Sequence, residues 1–157
     1  MKFRTVNDLN TISINEMKLI SMELTQQSLV LKLEGAVVKA DNSNNNRYED
    51  VYCADMVLIF KGLKLLNFCR AGFKYYDADG RLINEVPGRP LEDKDIQKAV
   101  DIKNGAWVFS LECFDPENQI YRLIYDVEDE ETKTYEAEFT FLESTASWER
   151  FAGPVEG

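Results

Sequence analysis

Apolar and polar residues alternate with a period of two along most of the chain, the mark of strands that bury one face. In residues 28–34, Leu29, Leu31 and Leu33 share a side while Lys32 and Glu34 take the other. Gly35 then predicts a bend or bulge before Ala36, Val37 and Val38. Residues 17–24 also have strand character, and Thr25-Gln26-Gln27-Ser28 is the expected turn of a hairpin. Residues 51–60 are almost continuously apolar, which predicts a central strand covered on both faces. Asp55 interrupts that run, so its carboxylate is expected at an edge or in a hydrogen bond. Residues 63–69 form the next strand.

Turn residues punctuate the pattern. Asp41-Asn42-Ser43-Asn44-Asn45-Asn46-Arg47 predicts a polar, solvent-facing loop with freedom to move. Residues 73–76 and 81–83 flank Asp77-Ala78-Asp79-Gly80, whose glycine suits the left-handed position of a short hairpin. Pro87-Gly88-Arg89-Pro90 precedes residues 91–100, the one segment with helical spacing, where Leu91, Ile96, Ala99 and Val100 line one side. A three-strand meander follows at residues 106–114, 120–127 and 134–143, with a turn at Asp115-Pro116-Glu117-Asn118 and an acidic loop at residues 128–133. Alternation is cleanest in the third, where Tyr135, Ala137, Phe139 and Phe141 oppose Glu136, Glu138 and Thr140. Residues 147–154 add an edge strand or lie over the sheet to cover Trp148 and Phe151. The fold expected is mainly β, a β-rich α+β domain spanning residues 1–157 with loosely ordered ends. Its antiparallel meander makes a sandwich or partly open barrel of about 8 to 10 strands, with one short helix near 91–100.

A chain of 157 residues, 45% of them hydrophobic, can bury roughly two thirds of its unfolded surface and needs neither metal nor disulfide to fold. No cofactor is expected. The first ten residues lack the apolar run of a signal peptide, and the longest apolar run, residues 56–60, is far short of the roughly 20 that span a bilayer. Cys53, Cys69 and Cys113 are odd in number and sit in strand-like surroundings, which reads as reduced thiols. A cytoplasmic protein is therefore expected. The chain has no histidine, which removes Ser-His-Asp and Cys-His catalysis and most zinc sites.

Of the net charge of −10, residues 112–143 carry −9, with eleven carboxylates against Arg122 and Lys133. A field of that sign repels phosphate backbones and anionic lipid, so neither nucleic acid nor membrane is an expected partner. A basic protein is, and Glu128, Asp129, Glu130, Glu131, Glu136 and Glu138 are the residues expected to meet it. The plainer alternative is that the acidity keeps a small protein soluble. Self-association into a homo-oligomer is a further way of covering exposed strand edges.

Candidate chemistry is sparse. Glu112, Glu136 and Glu138 lie on polar faces of strands expected to be neighbours, a placement open to general acid and base work, although any solvated sheet face has it. A carboxylate-dependent hydrolase would need two inward-facing acids in a cleft. Residues 126–131 could hold a hard cation through oxygen ligands but lack the alternating ligands and glycine of a helix-loop-helix calcium site. Cys69 beside Arg70 is the only cysteine next to a cation, and neighbours on a strand point to opposite faces. Tyr75, Tyr76, Tyr121, Tyr125, Trp107 and Trp148 would line a small-molecule pocket or serve as packing residues.

In general character, a small acidic β-protein with hairpins and one short helix, the chain resembles some bacterial immunity proteins. The likeness implies a binding role and transfers no site residue. The expected function is a non-enzymatic domain whose acidic meander engages a basic toxin or regulatory protein; the alternative is a β-barrel or sandwich with an aromatic-lined pocket.

Overall fold

Alternating segments become strands because each buries one apolar row, and turn residues set where each row stops. A computed structural model describes residues 2–128 and 132–155, so Asp129, Glu130 and Glu131 of the expected partner surface lie outside the described residues. The strands are β1 (Phe3–Val6), β2 (Ile12–Ser13), β3 (Lys18–Leu24), β4 (Ser28–Val38), β5 (Val51–Lys61), β6 (Lys64–Arg70), β7 (Phe73–Tyr76), β8 (Leu82–Val86), β9 (Arg89–Pro90), β10 (Ala106–Asp115), β11 (Ile120–Glu128), β12 (Thr132–Thr140), β13 (Glu143–Trp148) and β14 (Arg150–Pro154). Among the described residues the helical elements are α1 (Asp93–Val100) and a 3-10 turn at Leu9–Thr11. The fold is mainly β and antiparallel with one helix, as the alternation predicts.

Twelve strands form one sheet, whose central path runs β1-β13-β5-β4-β3-β10-β11-β12-β6-β9, with β14 paired to β5 and β2 to β4. The sheet does not close into a barrel. It does roll over on itself. Five strand spacings separate β5 from β12 in that order, about 24 Å if the sheet were flat, yet the rings of Phe60 and Phe139 lie 5.2 Å apart. Two chain segments make the corner together: β5 passes into β6 at Gly62 and Leu63 while β12 passes into β13 at Phe141 and Leu142. Lys61 pairs with Glu143 before the corner and Lys64 with Thr140 after it. Gly62 has a φ of 65°, and a Cβ there would meet the Leu142 side chain at 2.7 Å, so glycine satisfies both the conformation and the contact.

The interior is packed with large side chains. Trp148, Tyr125, Phe60, Phe139, Met56 and Leu31 are among its fully buried side chains. Helix α1 carries Asp93 and Asp95 in its first turn and Lys98 in its last, charges that complement the helix dipole. It buries Ala99 and Val100 against the roll, where the Tyr125 hydroxyl donates to the Ala99 carbonyl at 2.7 Å.

Four local expectations change. β4 runs unbroken through Gly35 in constant register with β5, and the glycine is needed because a Cβ would stand 2.7 Å from the Cys53 carbonyl oxygen. β5 is central but alternates in burial, and Asp55, within the strand at a φ of 60°, faces solvent 3.8 Å from Arg150. The loop at 41–47 is tied inward: Asn42 donates to Thr11 Oγ1 at 2.8 Å, and Asn45 reaches the carbonyls of Val38, Lys39 and Glu49. The third meander strand leaves its neighbours at Thr140, and Glu143 belongs to β13, because the sheet turns its corner between them.

Candidate functional site

The meander places its apolar row inward and its polar row outward. Val108, Leu123, Tyr125, Ala137, Phe139 and Phe68 face the core from β10, β11, β12 and β6. The outward residues line up in cross-strand rows: Trp107 with Asp126 and Thr134, Ser110 with Ile124, Glu136 and Cys69, and Glu112 with Arg122, Glu138 and Asn67. Three aromatics on β10 stand in solvent beside these rows, Trp107 at 45%, Phe109 at 65% and Phe114 at 37% exposure.

Strict alternation along 106–114 would put Trp107, Phe109, Leu111 and Cys113 on one side and Val108, Ser110, Glu112 and Phe114 on the other. A register shift between Val108 and Ser110 reverses that parity. Leu111 and Cys113 thereby align with the inward-facing Leu123 and Tyr121, and Glu112 takes the outer side with Trp107. A bulge re-aims side chains in this way. Sequence reasoning therefore missed Phe109 and Phe114 as surface residues, although a bulky apolar residue on each side of the strand was a visible signal.

Arg122 is a cation at the centre of this face, with exposed Lys18 opposite Trp107 on β3 and exposed Lys64 opposite Thr140 on β6 at its borders. Its guanidinium meets Glu138 through both Nε at 3.3 Å and Nη2 at 3.0 Å and lies over the Phe114 ring, 4.1 Å from its centroid. That pair largely cancels its own charge. Glu112, Asp126, Glu128 and Glu136 then set the sign of the surface, with the Thr134 hydroxyl donating to Asp126. Glu128 ends β11 exposed, whereas Glu136 and Glu138 are half-buried, and the sequence-predicted acids in the described residues share one outer face.

Glu136 and Glu138 face outward from the sheet, and the depression of about 270 Å³ that Glu112 borders has no second carboxylate in its lining, whereas hydrolysis needs a pair. The Cys69 thiol is 3.9 Å from Glu136, and burial, reinforced by the charges of Glu136 and Glu138, raises its pKa, which disfavours the thiolate. Burial pushes the Cys53 thiol up to about 12. Tyr121 is raised by burial and then by neighbouring Cys113. No cluster of three or more metal-ligating side chains occurs among the described residues.

The aromatics considered for a pocket do not converge. Trp148 and Tyr125 are core, Trp107 is on the outer face, and Tyr75 and Tyr76 are exposed on the separate β7–β8 hairpin. Two surface depressions of about 580 and 630 Å³ lie beside α1, one lined by Leu24, Ile96 and Gln97 and the other by Met22, Val100 and Lys103. No described helix is long and apolar enough to cross a membrane. In comparisons with protein-family models, curated proteins and solved structures, the chain matches none.

Proposed function

We propose that this chain is a non-enzymatic binding protein that engages a basic protein partner through the outer face of β10, β11, β12 and β6. The observation that carries the reading is the row of exposed Trp107, Phe109 and Phe114 bordering Glu112, Asp126, Glu128 and Glu136. Protein interfaces concentrate their energy in a few large aromatics, surrounded by polar groups that exclude water and select the partner. Carboxylates around aromatic anchors steer a cationic protein toward the face and raise its association rate. Asp129, Glu130 and Glu131, between β11 and β12 in sequence, add to the same negative charge. A basic toxin or regulatory protein is the kind of partner this chemistry suits, in a compartment that leaves the three cysteines reduced.

The experiment is recovery of partners on a tagged chain at low and moderate salt, followed by affinity measurements with two variants. Neutralising Glu128, Asp129, Glu130, Glu131 and Glu136 is predicted to weaken binding of a basic protein and flatten its salt dependence. Replacing Trp107 and Phe109 by alanine is predicted to cost more than about 2 kcal/mol at any salt concentration. A partner held equally by all three proteins, or an acidic partner, overturns the reading.

A further inference from the structure

β10 has a strand beside it along its whole length on one side only. On the other side Ala106 and Trp107 pair with Leu19 and Lys18 of β3, and the Val108 backbone bonds to Glu16 and Met17. There the chain leaves for β2, which pairs with β4 instead. Among the described residues no strand pairs with Phe109 to Phe114 on this side. Ser110, Leu111, Glu112 and Cys113 nevertheless stand in regular register with β11, between the two register shifts of β10. The free edge therefore has four residues in strand geometry.

Main-chain groups of such a strand alternate between its two edges. Leu111 shows which ones face the gap, because its N–H donates to the side-chain carbonyl of Asn15 at 3.1 Å. An exposed amide thus stands where the carbonyl of a neighbouring strand would be. Cys113, two residues on, turns its N–H to the same edge. Beside this edge lies the depression of about 270 Å³, whose lining passes from Ile12, Ile14 and Asn15 through buried Leu58 to Leu111 and Tyr121. It leads between β2 and β10 into the apolar interior.

We infer that the basic partner adds a short extended segment to β10, pairing with residues 110–113, with an apolar side chain in the depression and a basic one beside Glu112. The inference rests on the proposed function and states how the partner is held. Main-chain chemistry decides the kind of occupant: N–H and C=O groups at strand spacing are matched by another extended backbone, with alternate side chains giving specificity. Charge decides its source. A second copy pairing antiparallel through the same edge sets Leu111 against Cys113 and Glu112 against Glu112, and like charges directly opposite destabilise a strand pair. It also brings together two segments of −9 each. Glu16 and Asp115 add to the negative border, against Lys39 in the lining of the depression. A segment with lysine or arginine at its outward positions is the complement.

The probe is a short peptide of alternating lysine and valine with blocked ends, beside the same peptide methylated at its backbone nitrogens, which keeps the charge and removes the donors. Each is titrated into the full chain while amide exchange is followed by NMR. The first peptide is expected to bind and to slow exchange of the Leu111 and Cys113 amides at least about tenfold. The methylated peptide is expected to bind at least about tenfold more weakly. Asn15→Ala removes the amide that the added strand displaces, so it should tighten binding about three- to tenfold, the worth of one hydrogen bond. Asn15 is exposed, and the thermal transition should not move. Equal binding of the two peptides, lost as salt rises, overturns the added strand and leaves the acidic face standing. Edge binding undiminished when Glu128, Asp129, Glu130, Glu131 and Glu136 are neutralised overturns the acidic face and leaves the strand. Failure of both peptides to bind, unaltered exchange of Leu111 and Cys113, or an affinity unmoved by Asn15→Ala overturns the inference.

Discussion

Gly35 lies where β4 approaches β5, and its missing side chain is what permits the ladder. A Cβ there would stand 2.7 Å from the carbonyl oxygen of Cys53, a backbone atom that the next strand holds in place. Gly153, in β14, has open space around the same position and no positive φ. Gly35→Ala is therefore predicted to lose about 1–3 kcal/mol, the range for forcing atoms into a packed site. Gly153→Ala is predicted to stay within about 0.5 kcal/mol. Urea midpoints of the two variants check this, and similar losses at both positions would mean that the close approach costs nothing.

At the scale of elements, the outer face is organised by pairing across β10, β11 and β12 rather than by any one strand. Arg122 sits between Glu112 and Glu138 in register, and its side chain is about a third exposed. Such a pair contributes about 0–1 kcal/mol to stability because solvent screens it. Its larger effect is on the sign of the surface. Arg122→Gln is predicted to leave the melting temperature within a few degrees, the shift expected for a loss below about 1 kcal/mol. On the proposed function the same change tightens binding of the basic partner and steepens its salt dependence. Weaker binding with an unchanged melting temperature would assign Arg122 a direct contact with the partner instead.

At the scale of the whole molecule, rolling the sheet encloses two ionisable groups that an open sheet would leave wet. Burial pushes Cys53 up to about 12, with the Asp55 charge adding to it against backbone hydrogen bonds, and burial raises Tyr125 well above its ordinary value of 10.0. Well below pH 9, the ordinary value for a cysteine, both groups are neutral in the folded and unfolded chain alike. As pH rises above that, the unfolded chain gives up the Cys53 proton first, so the folded state loses relative stability through the window up to about 12. The slope approaches 1.4 kcal/mol per pH unit for one fully retained proton. The urea midpoint is predicted to fall steadily from about pH 9 to about pH 11, and Cys53→Ala to flatten the first part of that decline. A midpoint level across this window would mean that the Cys53 thiol ionises freely in the folded chain.

The sequence by itself determined the class of fold, the helix, the hairpin tip at Gly80 and the concentration of acid in the last third. Each of these is a local property: alternation fixes which row is apolar, one glycine fits one turn, and charges can be counted along a chain. Which residues share a surface is not local. The bulge in β10 reverses the parity of the residues after it and turns Glu112 outward beside Trp107 and Phe114. The corner at Gly62 and Leu142 divides what reads as one run through residue 143 between β12 and β13. The Asn-rich loop gave the same uncertainty in reverse, because amides that suit solvent also suit buried carbonyls once Asn45 reaches three of them. Only tertiary structure decided that the acids and aromatics stand together on one outer face and that the β7–β8 hairpin stands clear of it. Cross-strand register places such neighbours, and register depends on the partner strand as much as on the strand that carries them.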